Sequence, residues 1–135
     1  MDEKEVRWQQ RFANFLKALS QLAKFVKKGE HLNELEETGM IKAFEYTYEL
    51  AWNTIKDFYE SQGEAGIQGS KDAIQMAFKR GLIKDGDAWM AMLKDRIRTS
   101  HIYDEAIANE IAANILAEYF GLYLELKEEL EKLLS

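Results

Sequence analysis

Large apolar residues recur at alternating intervals of four and three from Trp8 through Phe12, Phe15, Leu19 and Leu22 to Val26. That spacing is one face of an α-helix, and it predicts a helix continuing to about Lys28. The stretch from Gly29 to Gly39 is acidic and breaks the pattern, so a loop or a short turn of helix is expected there. A second stripe runs through Ile41, Phe44, Tyr48, Ala51, Ile55 and Phe58, with Trp52 widening it. Glu45, Glu49, Asn53 and Glu60 fall mostly off that face, and the helix is expected to stop at Gln62-Gly63.

Gly63 to Gly69 reads as a loop. Ser70 is the expected cap of a short helix closed by Gly81, with Asp72 favourably placed near its positive end. Asp87 is the expected cap of the next helix, which carries Trp89, Met90, Met92 and Leu93 and frays near Thr99-Ser100. Asp104 is the expected cap of a last helix whose main stripe is Ile107, Ile111, Ile115, Tyr119, Leu122, Leu126, Leu130 and Leu133. Ala108, Ala112, Leu116, Phe120, Tyr123 and Leu124 broaden it. A helix apolar on two sides usually has two neighbours, which predicts bundle core on one side and a second protomer on the other. The expected fold is all-α: an antiparallel bundle of about four main helices plus a short extra helix, in one domain over residues 1–135.

Composition narrows the function. Cysteine is absent, which removes disulfides and thiolate metal sites. No apolar run approaches the roughly 18 residues of a membrane span, and the charged start Met1-Asp2-Glu3-Lys4-Glu5 does not look like a signal peptide. A cytoplasmic protein with no membrane contact is expected. The formal net charge of −6 is the wrong sign for a general nucleic-acid coat or a polybasic membrane binder. Any contact with RNA or a nucleotide must then be local.

One such patch exists. Leu93 to Glu105 gathers Lys94, Arg96, Arg98, Thr99, Ser100, His101 and Tyr103 at the junction of two helices. Lys94 and Arg98 are one turn apart and can face one anion, with Arg96 projecting elsewhere. The N–H groups opening the last helix point toward the same junction, although Asp104 competes for them. An imidazole can take a proton from a ribose 2′-hydroxyl, and a guanidinium can stabilise the charge that builds on the phosphate. One histidine supplies one of the two proton-transfer groups such a cleavage wants, and a two-fold dimer would supply the other. The remaining titratable groups read as surface: His31 lies in an acidic segment, and Glu45 with Glu49, one turn apart, lack the partners a metal site needs.

Arg96, His101 and Tyr103 fit the R-x4-H-x-Y pattern of HEPN-domain proteins. Together with Phe44-Glu45-Tyr46-Thr47-Tyr48-Glu49-Leu50-Ala51-Trp52, Gly69-Ser70-Lys71-Asp72-Ala73 and Trp89-Met90-Ala91-Met92-Leu93, the sequence resembles the nucleotidyltransferase substrate-binding branch of that family over nearly its whole length. The resemblance implies a HEPN-like bundle that forms a homodimer with the site between protomers. It also implies a metal-independent endoribonuclease toxin with no cofactor, held in check by a minimal nucleotidyltransferase partner. Carried across, Arg96 stabilises phosphate, His101 is the acid–base group and Tyr103 accepts adenylyl groups; Lys94, Arg98 and Ser100 are expected from their place in the same junction, not from the resemblance, to bind substrate phosphate. The residue after the arginine, often polar in the family, is Ile97. The alternative implied by the family name is a non-catalytic substrate-binding subunit of a nucleotidyltransferase complex.

Overall fold

The structure is a computed structural model and describes residues 2–134. Every regular element among those residues is helical. Helix α1 spans Glu3–Lys28 and α2 spans Glu34–Ser61, joined by a short 3-10 turn at Gly29–His31. The two pack antiparallel along their length. Trp8 near the start of α1 meets Phe58 near the end of α2 edge-to-face at 5.1 Å, while Phe25 near the end of α1 lies over Gly39 near the start of α2. A Cβ on Gly39 would come within 3.0 Å of that ring, so glycine is what lets the pair close at this end.

The start of α2 departs from expectation. Instead of a loop up to Gly39, the helix begins at Glu34, because Asn33 and Glu36 form a reciprocal capping box: Asn33 Oδ1 accepts from the Glu36 N–H at 2.8 Å, and Glu36 Oε1 accepts from the Asn33 N–H at 3.0 Å. The acidic residues there sit in the first turn, where the helix dipole favours them. Helices α3 (Ser70–Lys79) and α4 (Gly86–Arg98) follow. Two expected caps shift. Gly69 rather than Ser70 occupies the cap of α3, and Asp85 rather than Asp87 caps α4, accepting from the Ala88 N–H at 3.0 Å. After a 3-10 turn at Thr99–His101, Asp104 caps α5 (Glu105–Asn114) as expected.

The last helix is interrupted. A π turn at Ile115–Tyr119 separates α5 from α6 (Phe120–Glu131). The stripe explains it. Ile107, Ile111, Ile115 and Tyr119 are spaced by four, and each such step drifts by about 40° around an α-helix. A wider π turn absorbs the drift, so Ile111, Ile115, Tyr119, Leu122, Leu126 and Leu130 all stay buried. Part of the expected second face is core as well: Ala112 and Tyr123 are buried, and the Tyr123 ring contacts those of Phe15, Phe44 and Trp89. Ala108, Leu116 and Phe120 remain half-buried and Leu124 is exposed.

Candidate active site

The basic cluster falls where α4 ends and α5 begins. Continuing α4 through the 3-10 turn carries the chain from Arg96 to His101 without a loop, and the His101 carbonyl accepts from the Asp104 N–H at 3.0 Å, which tightens the bend. Asp104 Oδ1 then accepts from the Ala106 and Ile107 N–H groups at 3.0 and 3.4 Å. The donors at the α5 N-terminus are therefore already engaged by a carboxylate rather than open to phosphate.

His101 and Tyr103 are both exposed, Tyr103 to 83%. His101 Nδ1 lies 3.0 Å from Tyr103 Oη, with the rings edge-to-face. That contact engages one ring nitrogen and leaves the other, Nε2, outside it. Arg96 is deeper, its side chain 27% exposed, and its Nη2 donates to Glu49 Oε1 at 3.1 Å. Its Nε is buried without a hydrogen-bond partner among the described residues. Ile97, next in the chain, is 64% exposed.

The other expected phosphate ligands divide. Lys94 is exposed on the outer surface of α4. Ser100 is exposed, and its hydroxyl donates back to the Ile97 carbonyl at 3.2 Å. Arg98, expected to share an anion with Lys94, is instead flanked by two carboxylates, with Nε 3.1 Å from Asp95 Oδ1 and Nη2 3.2 Å from Glu110 Oε1. Neither contact is aligned as a hydrogen bond. Arg98 therefore ties α4 to α5 electrostatically.

Beneath this surface Asp95 is 6% exposed and accepts from Tyr119 Oη at 2.6 Å and Asn114 Nδ2 at 2.9 Å. The π turn places Tyr119 over α4, so the buried network and the helix distortion belong together. Burial first, then the hydrogen bond to Asp95, pushes the Tyr119 phenol well up. Tyr48, buried in α2 beside Glu49, is pushed up to about 12 by burial.

Two residues read as surface belong to the site. Glu49 Oε2 accepts from the Trp52 indole N–H at 2.6 Å while its other oxygen holds Arg96. Trp52 is half-buried, packed against the edge of the core with its indole N–H turned to this contact. Glu45 Oε2 accepts from Thr99 Oγ1 at 3.0 Å. Burial opposes its ionisation, but Thr99, Lys42 and Arg96 outweigh it and hold the carboxyl below its ordinary value. Their one-turn spacing was visible in the sequence, but nothing there said which helix end they would face. His31 is exposed, as expected.

On the far side of Tyr103 lies a cleft of about 310 Å³ lined by Glu34, Glu37, Thr38, Ile102 and Glu105. Burial, then the charges of Glu105 and Glu34, raises the Glu37 carboxyl. The carboxylates of this cleft therefore disfavour an anion there.

Among known proteins, one from Thermus thermophilus, of known crystal structure, superposes with a TM-score of 0.78 at 29% identity, covering 86% of this chain and 98% of that one. A Haemophilus influenzae protein superposes with a TM-score of 0.64 at 26% identity, covering 94% and 98%. Its structure is described as revealing the fold of a substrate binding domain of a nucleotidyltransferase. A probable ribonuclease HepT from Haemophilus influenzae is 35% identical over 81 residues, and the match takes in 57% of this chain and 56% of that protein. The chain thus matches little more than half the length of that relative. The family model for nucleotidyltransferase substrate binding protein like sequences matches residues 10–132. On that match, the chain belongs to the nucleotidyltransferase substrate binding protein like family.

Proposed function

We propose that this chain is a metal-independent endoribonuclease toxin that works as a homodimer and is silenced when a separate minimal nucleotidyltransferase adenylylates Tyr103. The observation that carries the reading is the exposed His101 Nδ1–Tyr103 Oη contact of 3.0 Å on the same short segment as Arg96. The family match and the relative named a probable ribonuclease support it.

The chemistry follows from the two ring nitrogens. If the phenol oxygen accepts from Nδ1–H, the lone pair sits on Nε2, which can then act as a base. His101 Nε2 takes the proton of a ribose 2′-hydroxyl, the 2′-oxygen attacks the adjacent phosphorus, and the P–O5′ bond breaks. The products are a 2′,3′-cyclic phosphate and a 5′-hydroxyl, whose proton comes from the histidine of the second copy. Arg96 stabilises the added charge on phosphorus. Lys94 and Ser100 lie on the accessible surface for neighbouring phosphates. In the silencing step Tyr103 Oη gives its proton to solvent and attacks the α-phosphorus of ATP, the Oη–P bond forms, and the bond to the β-phosphate breaks with release of pyrophosphate. The product replaces the free phenol with a bulky anion that occupies the Arg96 site and presents phosphoryl oxygens to the imidazole in place of the phenol.

A second reading, a non-catalytic substrate-binding subunit of a nucleotidyltransferase, is favoured by one feature: Glu49 already neutralises Arg96. One experiment separates the two. The purified chain should cleave RNA in EDTA, and His101→Ala and Arg96→Ala should each lower the rate by about 100-fold or more. Both variants should also relieve growth arrest at equal expression. Binding without cleavage, unchanged in both variants, would favour the second reading. Co-expression with the partner followed by peptide mass spectrometry tests Tyr103, and Tyr103→Phe should abolish the added mass.

A further inference from the structure

Glu45 and Glu49 stand one turn apart on α2 and meet the two ends of the segment that carries Arg96 and His101. Glu49 has both oxygens engaged, one by Arg96 Nη2 at 3.1 Å and one by the Trp52 indole at 2.6 Å. Trp52 lies three residues away on the same helix, so it fixes the rotation of the carboxylate before Arg96 arrives. Glu45 holds Thr99, which is 6% exposed and opens the 3-10 turn that ends in His101. The single hydroxyl proton of Thr99 can serve Glu45 or the Arg96 carbonyl at 2.7 Å, and either bond keeps the turn closed on α4.

We propose that Glu49 and Glu45 are positioning residues. Glu49 sets the plane of the Arg96 guanidinium, and Glu45 sets the turn from which His101 projects. This rests on the roles proposed above for Arg96 and His101. An arginine in the last turn of a helix otherwise samples many rotamers, and a donor aimed in advance at the transition-state charge needs no reorganisation when the charge develops. The carboxylate lowers the site's general pull on anions, and in exchange the guanidinium is held at one angle. The same trade accounts for an acidic protein placing two glutamates against its proposed phosphate ligand.

Trp52 makes the proposal specific. Glutamine at position 49 has one acceptor oxygen, so it can serve Arg96 or the indole but not both. Removing the indole donor should therefore repair the glutamine variant. Single-turnover cleavage of a short RNA at saturating enzyme gives the rate, and titration gives the affinity. Glu49→Leu should slow the saturated rate by about 10- to 100-fold with affinity changed less than about threefold, because orientation rather than binding is lost. Glu49→Gln should be intermediate, and Glu49→Gln with Trp52→Phe should recover much of the loss. Glu45→Val should slow the saturated rate more than Glu45→Gln, which keeps an acceptor for Thr99. An unchanged rate in Glu49→Leu, a loss confined to affinity, or no recovery in the double variant would overturn the proposal.

A second readout is independent of cleavage. The Arg96 side-chain resonances in NMR spectra should be those of an ordered guanidinium in the wild type and in the double variant, and motionally averaged in Glu49→Leu. An averaged Arg96 in the wild type overturns the clamp whether or not RNA is cut. An ordered Arg96 in a wild type that does not cut RNA overturns the ribonuclease reading alone.

Discussion

On the inner side of the last turn of α4, Asp95 is buried and collects a phenol, an amide and a guanidinium from Tyr119, Asn114 and Arg98. On the outer side, a few residues along, His101 and Tyr103 share a single hydrogen bond in open solvent. The inner network is costly to disturb because Asp95 and Tyr119 are buried and would lose partners away from water. The outer pair is cheap to disturb because water replaces whatever is lost. A junction built this way holds an imidazole and a phenol at the surface without drawing stability from them. It predicts that stability and activity separate by side.

The largest effect should come from raising pH, which attacks the buried phenols and spares the surface pair. Burial lifts Tyr48 and Tyr59 from 10.0 to about 12. A phenol raised on folding contributes stability that is fully present below the unfolded value and is lost as pH rises through the folded one. Stability should therefore fall steadily as pH rises from 10 to about 12, measured by urea unfolding across that range with phenolate absorbance following the buried tyrosines.

Next, Asp95→Ala should destabilise the fold by about 2 kcal/mol in urea unfolding, since it removes the acceptor of Asn114 and the nearer acceptor of Tyr119 and leaves Arg98 with Glu110 alone. Asn114→Ala, which removes one donor from the same carboxylate, should cost about 1 kcal/mol. His101→Ala and Tyr103→Phe should each shift stability by less than about 0.5 kcal/mol, as exposed substitutions do. If either costs as much as Asp95→Ala, the division between the two sides is wrong.

The smallest effect sharpens the role of α2. Glu45 is lowered from 4.5 in the folded protein, so its contribution is present above that value and lost as pH falls through the folded one. Glu45→Gln should slightly flatten the acid limb of the stability profile below pH 4.5 and leave the neutral region in place.

Much of this was legible along the chain. The stripes of α1 and α2 locate both helices because a period of 3.6 leaves few other ways to bury Trp8, Phe12, Phe44 and Ile55 together. Asp104 reads as a cap because a short carboxylate before an apolar run has few better uses. The early start of α2 was also legible, since Asn33-x-x-Glu36 is a capping box, but the acidic composition of the segment obscured it. The displaced caps at Ser70 and Asp87 are different. At α4 two aspartates two residues apart are both competent caps, and at α3 Gly69 takes the cap without a side-chain bond while Asp72 Oδ2 accepts from the Gln68 N–H.

Arg96, His101 and Tyr103 were marked by sequence as one cluster because they lie within a single junction. Their company was not. Glu45 and Glu49 are 47 or more residues from the groups they hold, and on a helical wheel they resemble any pair of solvated acids. Arg98 looked like a free cation until α5 brought Glu110 beside it.

The sequence alone determined the helical class, the apolar faces and the junction that carries Arg96, His101 and Tyr103, because each depends on spacing within a turn or two. Only the tertiary structure decided which carboxylate meets which cation, that the last helix bends through a π turn, and that Asp95 is buried under Tyr119. Those outcomes depend on how far one helix slides and rotates against another. Helix contacts are set by the summed packing of all their side chains, and no local pattern encodes that sum.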